Sequence, residues 1–196
     1  MTSIVYLHGF NSAFDPNNEK VKALAKIGNV IGITYNSLGT YSEICSDLLD
    51  QLSDADRDDT VIVGTSLGGY WAAEMGFKLG IPSVIINPCY DPTHMLQKYV
   101  GIQTNHSTKT NGSFELSSAL SYMHCKSYDS DYDYMPLVIL DMGDDVIDSF
   151  KTRELFEGFP MVHYADGSHR FDHIEDALDE INKYVNYCAF AEHTNI

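Results

Sequence analysis

Basic side chains are scarce in this sequence. Lys and Arg together number 12 against 28 Asp and Glu, a formal net charge of −16 over 196 residues. Such a surface repels phosphate backbones and anionic headgroups, which counts against nucleic acid or a charged membrane as partner. A small anionic substrate stays compatible, because a few basic side chains can be local. Long apolar runs are missing as well. No stretch reaches the roughly 18 residues needed to span a bilayer. The opening Met-Thr-Ser-Ile-Val-Tyr-Leu has neither the basic start nor the extended apolar run of a secretory leader. A soluble, cytoplasmic protein without membrane insertion is the expectation. Cys45, Cys89, Cys125 and Cys188 lie far apart and show no C-x-x-C spacing, which predicts reduced, buried thiols. No ligand cluster points to a metal, and no motif calls for a cofactor. No repeat or Pro-rich linker divides the chain, so residues 1–196 are expected to form one domain. The oligomeric state stays open.

What is present is an alternation of short apolar runs with longer helical patterns. The runs are Ser3–Leu7, Val30–Tyr35, Thr60–Gly64, Ser83–Asn87, Leu137–Met142 and Met161–Ala165. Each has strand length, and most are apolar without alternation, as parallel strands covered on both faces are. Helices are predicted over Asn18–Lys26, Ser42–Leu52, Leu67–Leu79 and Phe171–Tyr187, with a shorter one near Ile147–Phe156. This order predicts an α/β fold with a six-stranded, all-parallel sheet, helices on both faces and right-handed crossovers. One segment breaks the rhythm. Residues 88–135, after the fourth strand, are far longer than an ordinary βα connection and suit a lid insertion over a site. Thr93–Val100 and Phe114–Tyr122 within it have the pattern of short helices. Its aromatics Tyr90, Tyr99, Phe114, Tyr122 and Tyr128 argue against disorder and are expected to shape a mixed polar and aromatic pocket.

Four local signals carry chemistry. Gly64-Thr65-Ser66-Leu67-Gly68 is G-x-S-x-G between an apolar strand and a helix, the context of a nucleophile elbow. Small residues flank the serine because a Cβ at either place would strike the neighbouring strand or helix. The turn lifts the Ser66 hydroxyl above the sheet edge and points the Leu67 N–H at a developing oxyanion. His8-Gly9-Phe10 follows the first strand, where an H-G turn lends a second donor, here the Phe10 N–H. Gly167-Ser168-His169 follows the last strand and offers an imidazole as base. His163 lies within that strand and His173 in the following helix, which suits structural roles. Gly143-Asp144-Asp145 follows the fifth strand and offers a carboxylate to orient the imidazole. The Gly143 turn should aim Asp144 across the sheet top, leaving Asp145 toward solvent at the start of a helix. Ser66, Asp144, His169 is the chain order of α/β hydrolases, and all three fall at C-terminal ends of predicted strands.

With these residues in view, the sequence resembles the small bacterial esterases of the YqiA/YcfP type, a branch of the α/β hydrolases. The resemblance is carried by Ile4–Ser12, Val63–Ala72, Ile86–Pro88, Gly143–Asp148 and Gly167–Phe171, in collinear order, and is weakest over Thr104–Met135. It implies ester hydrolysis by a Ser–Asp–His triad without a cofactor, with the first aspartate of G-D-x-V, Asp144, as triad member. Because the H-G turn stands at residue 8, no room is left for an opening antiparallel hairpin, and a minimal version of the α/β-hydrolase sheet is expected. The expected function is cleavage of a carboxylic ester with a small or medium acyl group through an acyl-enzyme. Thioester cleavage at the same site, or a catalytically silent binding protein on the same fold, are the alternatives. The expected partner is a small-molecule ester or thioester.

Overall fold

The computed structural model describes residues 2–123 and 135–192, with side chains through Cys188 in the last helix. The first half of the chain forms β1 (Ser3–Leu7), α1 (Glu19–Leu24), β2 (Asn29–Ile33), α2 (Tyr41–Gln51), β3 (Thr60–Thr65), α3 (Leu67–Leu79) and β4 (Ser83–Ile86). Then come α4 (Pro92–Met95), β5 (Gly101–Thr104), β6 (Asn111–Phe114), α5 (Leu116–Leu120), β7 (Leu137–Asp141), α6 (Ser149–Leu155), β8 (Met161–Tyr164) and α7 (Ile174–Glu192). Six strands make one sheet in the order β2-β1-β3-β4-β7-β8, and every pairing in it is parallel. The chain moves outward from β1 to β2 and then returns to the other side at β3. The C-terminal ends of β1 and β3 therefore flank a topological switch point, where open α/β sheets bind ligands.

Side-chain alternation sorts the four inner strands, β1, β3, β4 and β7, onto two buried layers. Val5, Leu7, Ile62, Ile85, Val138 and Leu140 pack with Ile44 and Leu48 of α2 and Tyr70 and Trp71 of α3. Ile4, Tyr6, Val61, Val63, Val84 and Ile86 face the opposite way, against Val21 and Leu24 of α1 and Ala177 and Ile181 of α7. Burial of each such aliphatic side chain stabilises the fold by about 1.5–3 kcal/mol. Because both faces are covered, these strands read as continuous apolar runs. Helix starts are fixed locally. Asn18 caps α1, and Thr40 with Glu43 forms a reciprocal capping box on α2. Helix α3 is buried from Leu67 to Gly76; its one buried charge, Glu74, accepts from the Tyr41 hydroxyl and pairs with Lys78 at 3.2 Å.

Several boundaries differ from the sequence reading. Strand β2 stops at Ile33 rather than Tyr35, because the Tyr35 N–H turns to the His8 imidazole instead of the neighbouring strand. Helix α7 begins at Ile174, three residues after the expected start, since Phe171 sits at φ 62°, outside helical space. The predicted helix over Thr93–Val100 splits into α4 and a 3-10 turn at Gln97–Tyr99, and Phe114 closes β6 before α5 starts. The excursion after β4 also contains an antiparallel ribbon, β5–β6, that the sequence reading did not anticipate. That ribbon docks on the loop after β1. The His106 N–H donates to Asn11 O at 2.8 Å, Asn11 Nδ2 to Thr104 O at 2.8 Å, and Asn105 Nδ2 to Ser12 O at 3.0 Å. The excursion thus lies at the C-terminal end of the sheet. Tyr128, Cys125 and the last part of the expected lid lie outside the described residues. Cys45, half-buried, and Cys89, buried, are free thiols.

Candidate active site

Ser66 joins β3 to α3 at φ 57° and ψ −122°, a backbone conformation that costs a non-glycine residue about 1–3 kcal/mol. The surroundings hold it there. Its N–H donates to Ile86 O at 3.0 Å, and its carbonyl accepts from Gly69, Tyr70 and Cys89 N–H at 2.9, 3.2 and 3.0 Å. The flanking glycines are demanded by contact: a Cβ on Gly64 would lie 1.9 Å from Gly68 O, and one on Gly68 would lie 2.2 Å from Leu7 O. The turn is this tight because strand, elbow and helix touch backbone to backbone.

The loop after β8 brings His169 to this turn. Its Nε2 lies 3.0 Å from Ser66 Oγ, and its Nδ1 lies 2.8 Å from Asp144 Oδ2. A carboxylate can only accept, so Nδ1 carries the proton and Nε2 is left to accept from the Ser66 hydroxyl. Asp144 is held from behind: its Oδ1 accepts from the Val146 and Ile147 N–H groups at 2.8 and 2.9 Å, and its side chain is 1% exposed. Asp145 is exposed. It does not start a helix as the sequence reading expected; Asp148 caps α6, accepting from Lys151 N–H at 3.0 Å. His163 is an exposed residue of β8.

A second carboxylate, not singled out from the sequence, secures the His169 loop. Asp141 ends β7 fully buried, and it accepts from Asp172 N–H at 2.7 Å, Ser168 N–H at 3.2 Å and His173 Nδ1 at 2.7 Å. Gly167, at φ 85°, lets the loop close onto it, since a Cβ there would lie 2.1 Å from Asp141 Oδ2. The hydrogen bond to Asp141 raises the His173 pKa, with the Asp166 and Asp176 charges adding to it. Asn87, at φ 42°, completes the bracket: Oδ1 accepts from Asp141 N–H at 2.9 Å and Nδ2 donates to Ser168 O at 3.0 Å. The available signals were an aspartate closing an apolar run and the Asn of Ile86-Asn87-Pro88.

The His8-Gly9-Phe10 turn passes alongside Ser66. His8 is buried and stacked on Tyr35 at 4.4 Å; its Nδ1–H donates to Gly9 O at 2.8 Å and its Nε2 accepts from Tyr35 N–H at 3.3 Å. Burial lowers its pKa, which keeps the ring neutral and the turn rigid. Among the described residues, neither the Phe10 nor the Leu67 N–H finds an acceptor within the protein. Phe10 and Leu67 border, with Ser66 and His169, a cavity of about 580 Å³ that Met95, Leu96 and Tyr99 of the excursion also line. Of the four described aromatics that were expected to shape a pocket, Tyr90, Tyr99, Phe114 and Tyr122, only Tyr99 borders this one. Phe114 packs edge-on against Phe10, Tyr122 is buried against Tyr41, Tyr70 and Trp71, and Tyr90 lies under Lys151. Cys89 also borders the cavity, but burial pushes its thiol up to about 12, so it stays protonated. Among the described residues no group of three His, Cys, Asp or Glu converges as metal ligands do, and no helix is long and apolar enough to cross a membrane.

Comparison with known proteins agrees with this architecture. A UPF0227 protein of Shewanella sediminis is 29% identical over 186 residues, covering 92% of this chain and 98% of the relative. Est1E from Butyrivibrio proteoclasticus superposes with a TM-score of 0.74 at 12% identity, over 97% of this chain and 88% of the other. Mouse alpha/beta hydrolase domain-containing protein 10 gives 0.71 at 16% identity, over 95% and 90%. At such identities the superpositions show the fold, which is that of the α/β hydrolases. The family model described as "Uncharacterised protein family (UPF0227)" matches residues 3–186, and the chain belongs to that family.

Proposed function

We propose that this protein is a serine hydrolase that cleaves carboxylic esters, with Ser66 as nucleophile, His169 as general base and Asp144 as the orienting carboxylate. The observation that carries the reading is the unbroken chain from Ser66 Oγ through His169 to a buried, doubly anchored Asp144, set on a strained elbow. Ser66 Oγ attacks the ester carbonyl as its proton passes to His169 Nε2. Asp144 holds the ring in the tautomer this needs and stabilises the imidazolium. The carbonyl oxygen becomes an oxyanion that accepts from the Phe10 and Leu67 N–H groups, aided by the N-terminus of α3. Collapse breaks the ester C–O bond, and Nε2–H returns the proton to the departing alkoxide. A water then attacks the acyl-enzyme, giving its proton to Nε2, and the acid leaves with Ser66 restored.

In this reading the excursion over the cavity sets acyl preference through Met95, Leu96 and Tyr99. The test is covalent. A fluorophosphonate should add once to the folded protein, with the adduct on the peptide bearing Ser66, and Asp144→Asn or His169→Gln should slow labelling. Labelling at another residue, or none at all, overturns the proposal.

A further inference from the structure

We infer that the substrate is an ester with one apolar arm and one anionic arm, and that Lys20 and Arg170 hold the anion, a carboxylate or a phosphate monoester. The inference rests on the serine-hydrolase reading and narrows it. The chain has more than twice as many acidic as basic residues, yet its cavity reverses the balance. Lys20, Lys98 and Arg170 border it, three of the 12 Lys and Arg; of the 28 Asp and Glu only Asp15 does so among the described residues. His106 borders it as well.

The cavity has two unlike sides, set by the two layers of the fold. Leu67, Cys89, Leu96 and Ile147 belong to the buried layer of α2 and α3, and Met95 and Tyr99 pack against that layer. They form an apolar wall. On the other side stand Asn18 at the cap of α1, Lys20 in its first turn, and Arg170, which precedes the α7-layer residue Phe171. Ser66 lies at the sheet edge between the layers, so an ester carbonyl seated there sends one arm to each side.

Lys20 is a fixed charge. Its half-buried ammonium donates to Arg170 O at 2.5 Å, which uses one of its three N–H groups and leaves two for a ligand. Burial, and then the Arg170 charge, lower its pKa. The Glu19, Asp172 and Asp141 carboxylates raise it, but none of them borders the cavity. Among the described residues Lys20, Lys98 and Arg170 make no ion pair within 4.0 Å, unlike Lys26, Lys78 and Lys183. Arg170 directly follows His169 and borders the same cavity as Ser66. Lys98, exposed on the excursion beside Tyr99, adds positive potential at the mouth.

The experiment compares three phenyl butyrates that differ only at the para position, carrying a carboxylate, a phosphate monoester or a neutral carboxamide. The wild-type protein should show a kcat/KM about tenfold or more higher for the charged esters than for the carboxamide. The better of the two anions identifies the terminal group. Lys20→Met and Arg170→Gln should each lower the charged-to-neutral ratio several-fold, mainly through KM. Lys20→Arg, which keeps the charge, should retain most of it, and raised salt should compress the ratio. Reading the ratio cancels any general loss from the Lys20–Arg170 contact. Equal kcat/KM for the three esters, or a ratio unmoved in both charge-removing variants, overturns this inference alone. Absence of turnover with all three, together with no labelling of Ser66, overturns the hydrolase reading beneath it.

Discussion

Asp141→Ala removes a carboxylate that no ordinary sequence motif marks. In the structure it is fully buried and accepts three hydrogen bonds, from Ser168 N–H, Asp172 N–H and His173 Nδ1. Leaving a buried donor unsatisfied costs about 1–3 kcal/mol. His173 is 24% exposed and recovers part of this from water, so the two backbone donors dominate. The expected loss is about 3–5 kcal/mol, a large part of the 5–15 kcal/mol typical of a domain. The loop released is the one that carries His169, so turnover should fall even where the variant remains folded. Urea unfolding measures the first effect, and ester hydrolysis at low temperature, with folding checked by circular dichroism, measures the second. Asp166→Ala is the control: Asp166 also contacts His173, at 3.2 Å, but its side chain is 87% exposed, and an exposed pair contributes about 1 kcal/mol at most. A loss below about 1 kcal/mol for Asp141→Ala, or equal losses for the two variants, would refute the reasoning.

Three further outcomes are expected. Asp144→Asn should lower kcat by roughly 10⁴-fold, because an amide favours the wrong imidazole tautomer, whereas exposed Asp145→Asn should cost less than about tenfold; steady-state kinetics on folded variants reads the ranking, and the reverse order gives the role to Asp145. The folded-state pKa of His173 is raised, so its contribution to stability is complete below the ordinary imidazole range of about 6.5 and is lost as pH rises through the folded value; the stability gap between wild type and His173→Gln should therefore shrink from pH ~5.5 to pH ~9, and a gap that widens contradicts the assignment. Tyr122→Ala should destabilise by about 3–5 kcal/mol, as large aromatic truncations in cores do, because Tyr122 is 3% exposed among Tyr41, Tyr70 and Trp71. Chain-length preference should change more with Tyr99→Ala, and a selectivity change at Tyr122 without loss of stability would contradict this placement.

The legibility of the sequence follows from what enforces each feature. The sheet strands could be read because burial on both faces leaves uninterrupted apolar runs such as Val61-Ile62-Val63 and Val84-Ile85-Ile86. Gly64 and Gly68 could be read because backbone contact admits nothing larger. Ser66, Asp144 and His169 could be assembled because each follows a strand, and parallel strands deliver their ends to one edge. The β5–β6 ribbon escaped because its strands have four residues each, and Ile102 in β5 is 75% exposed, so no apolar face marks the pair. Asp141 and Asn87 escaped for another reason. Their partners lie 27 or more residues away in sequence, in a loop whose path no local pattern states. Tyr122 was assigned to a pocket by composition alone, and composition does not say which way a ring turns; it faces Trp71 in the core.

The central claim is that Ser66 Oγ is the attacking atom, and hydrolysis of p-nitrophenyl butyrate by purified wild-type protein and Ser66→Ala tests it most directly. The hydroxyl sits at the cavity rather than in the core, so the variant should unfold at an unchanged urea midpoint. Its turnover should fall by on the order of 10⁶-fold, the loss seen when one member of a cooperating triad is removed, or to the assay background. Turnover within about tenfold of wild type in a folded Ser66→Ala preparation would contradict the account.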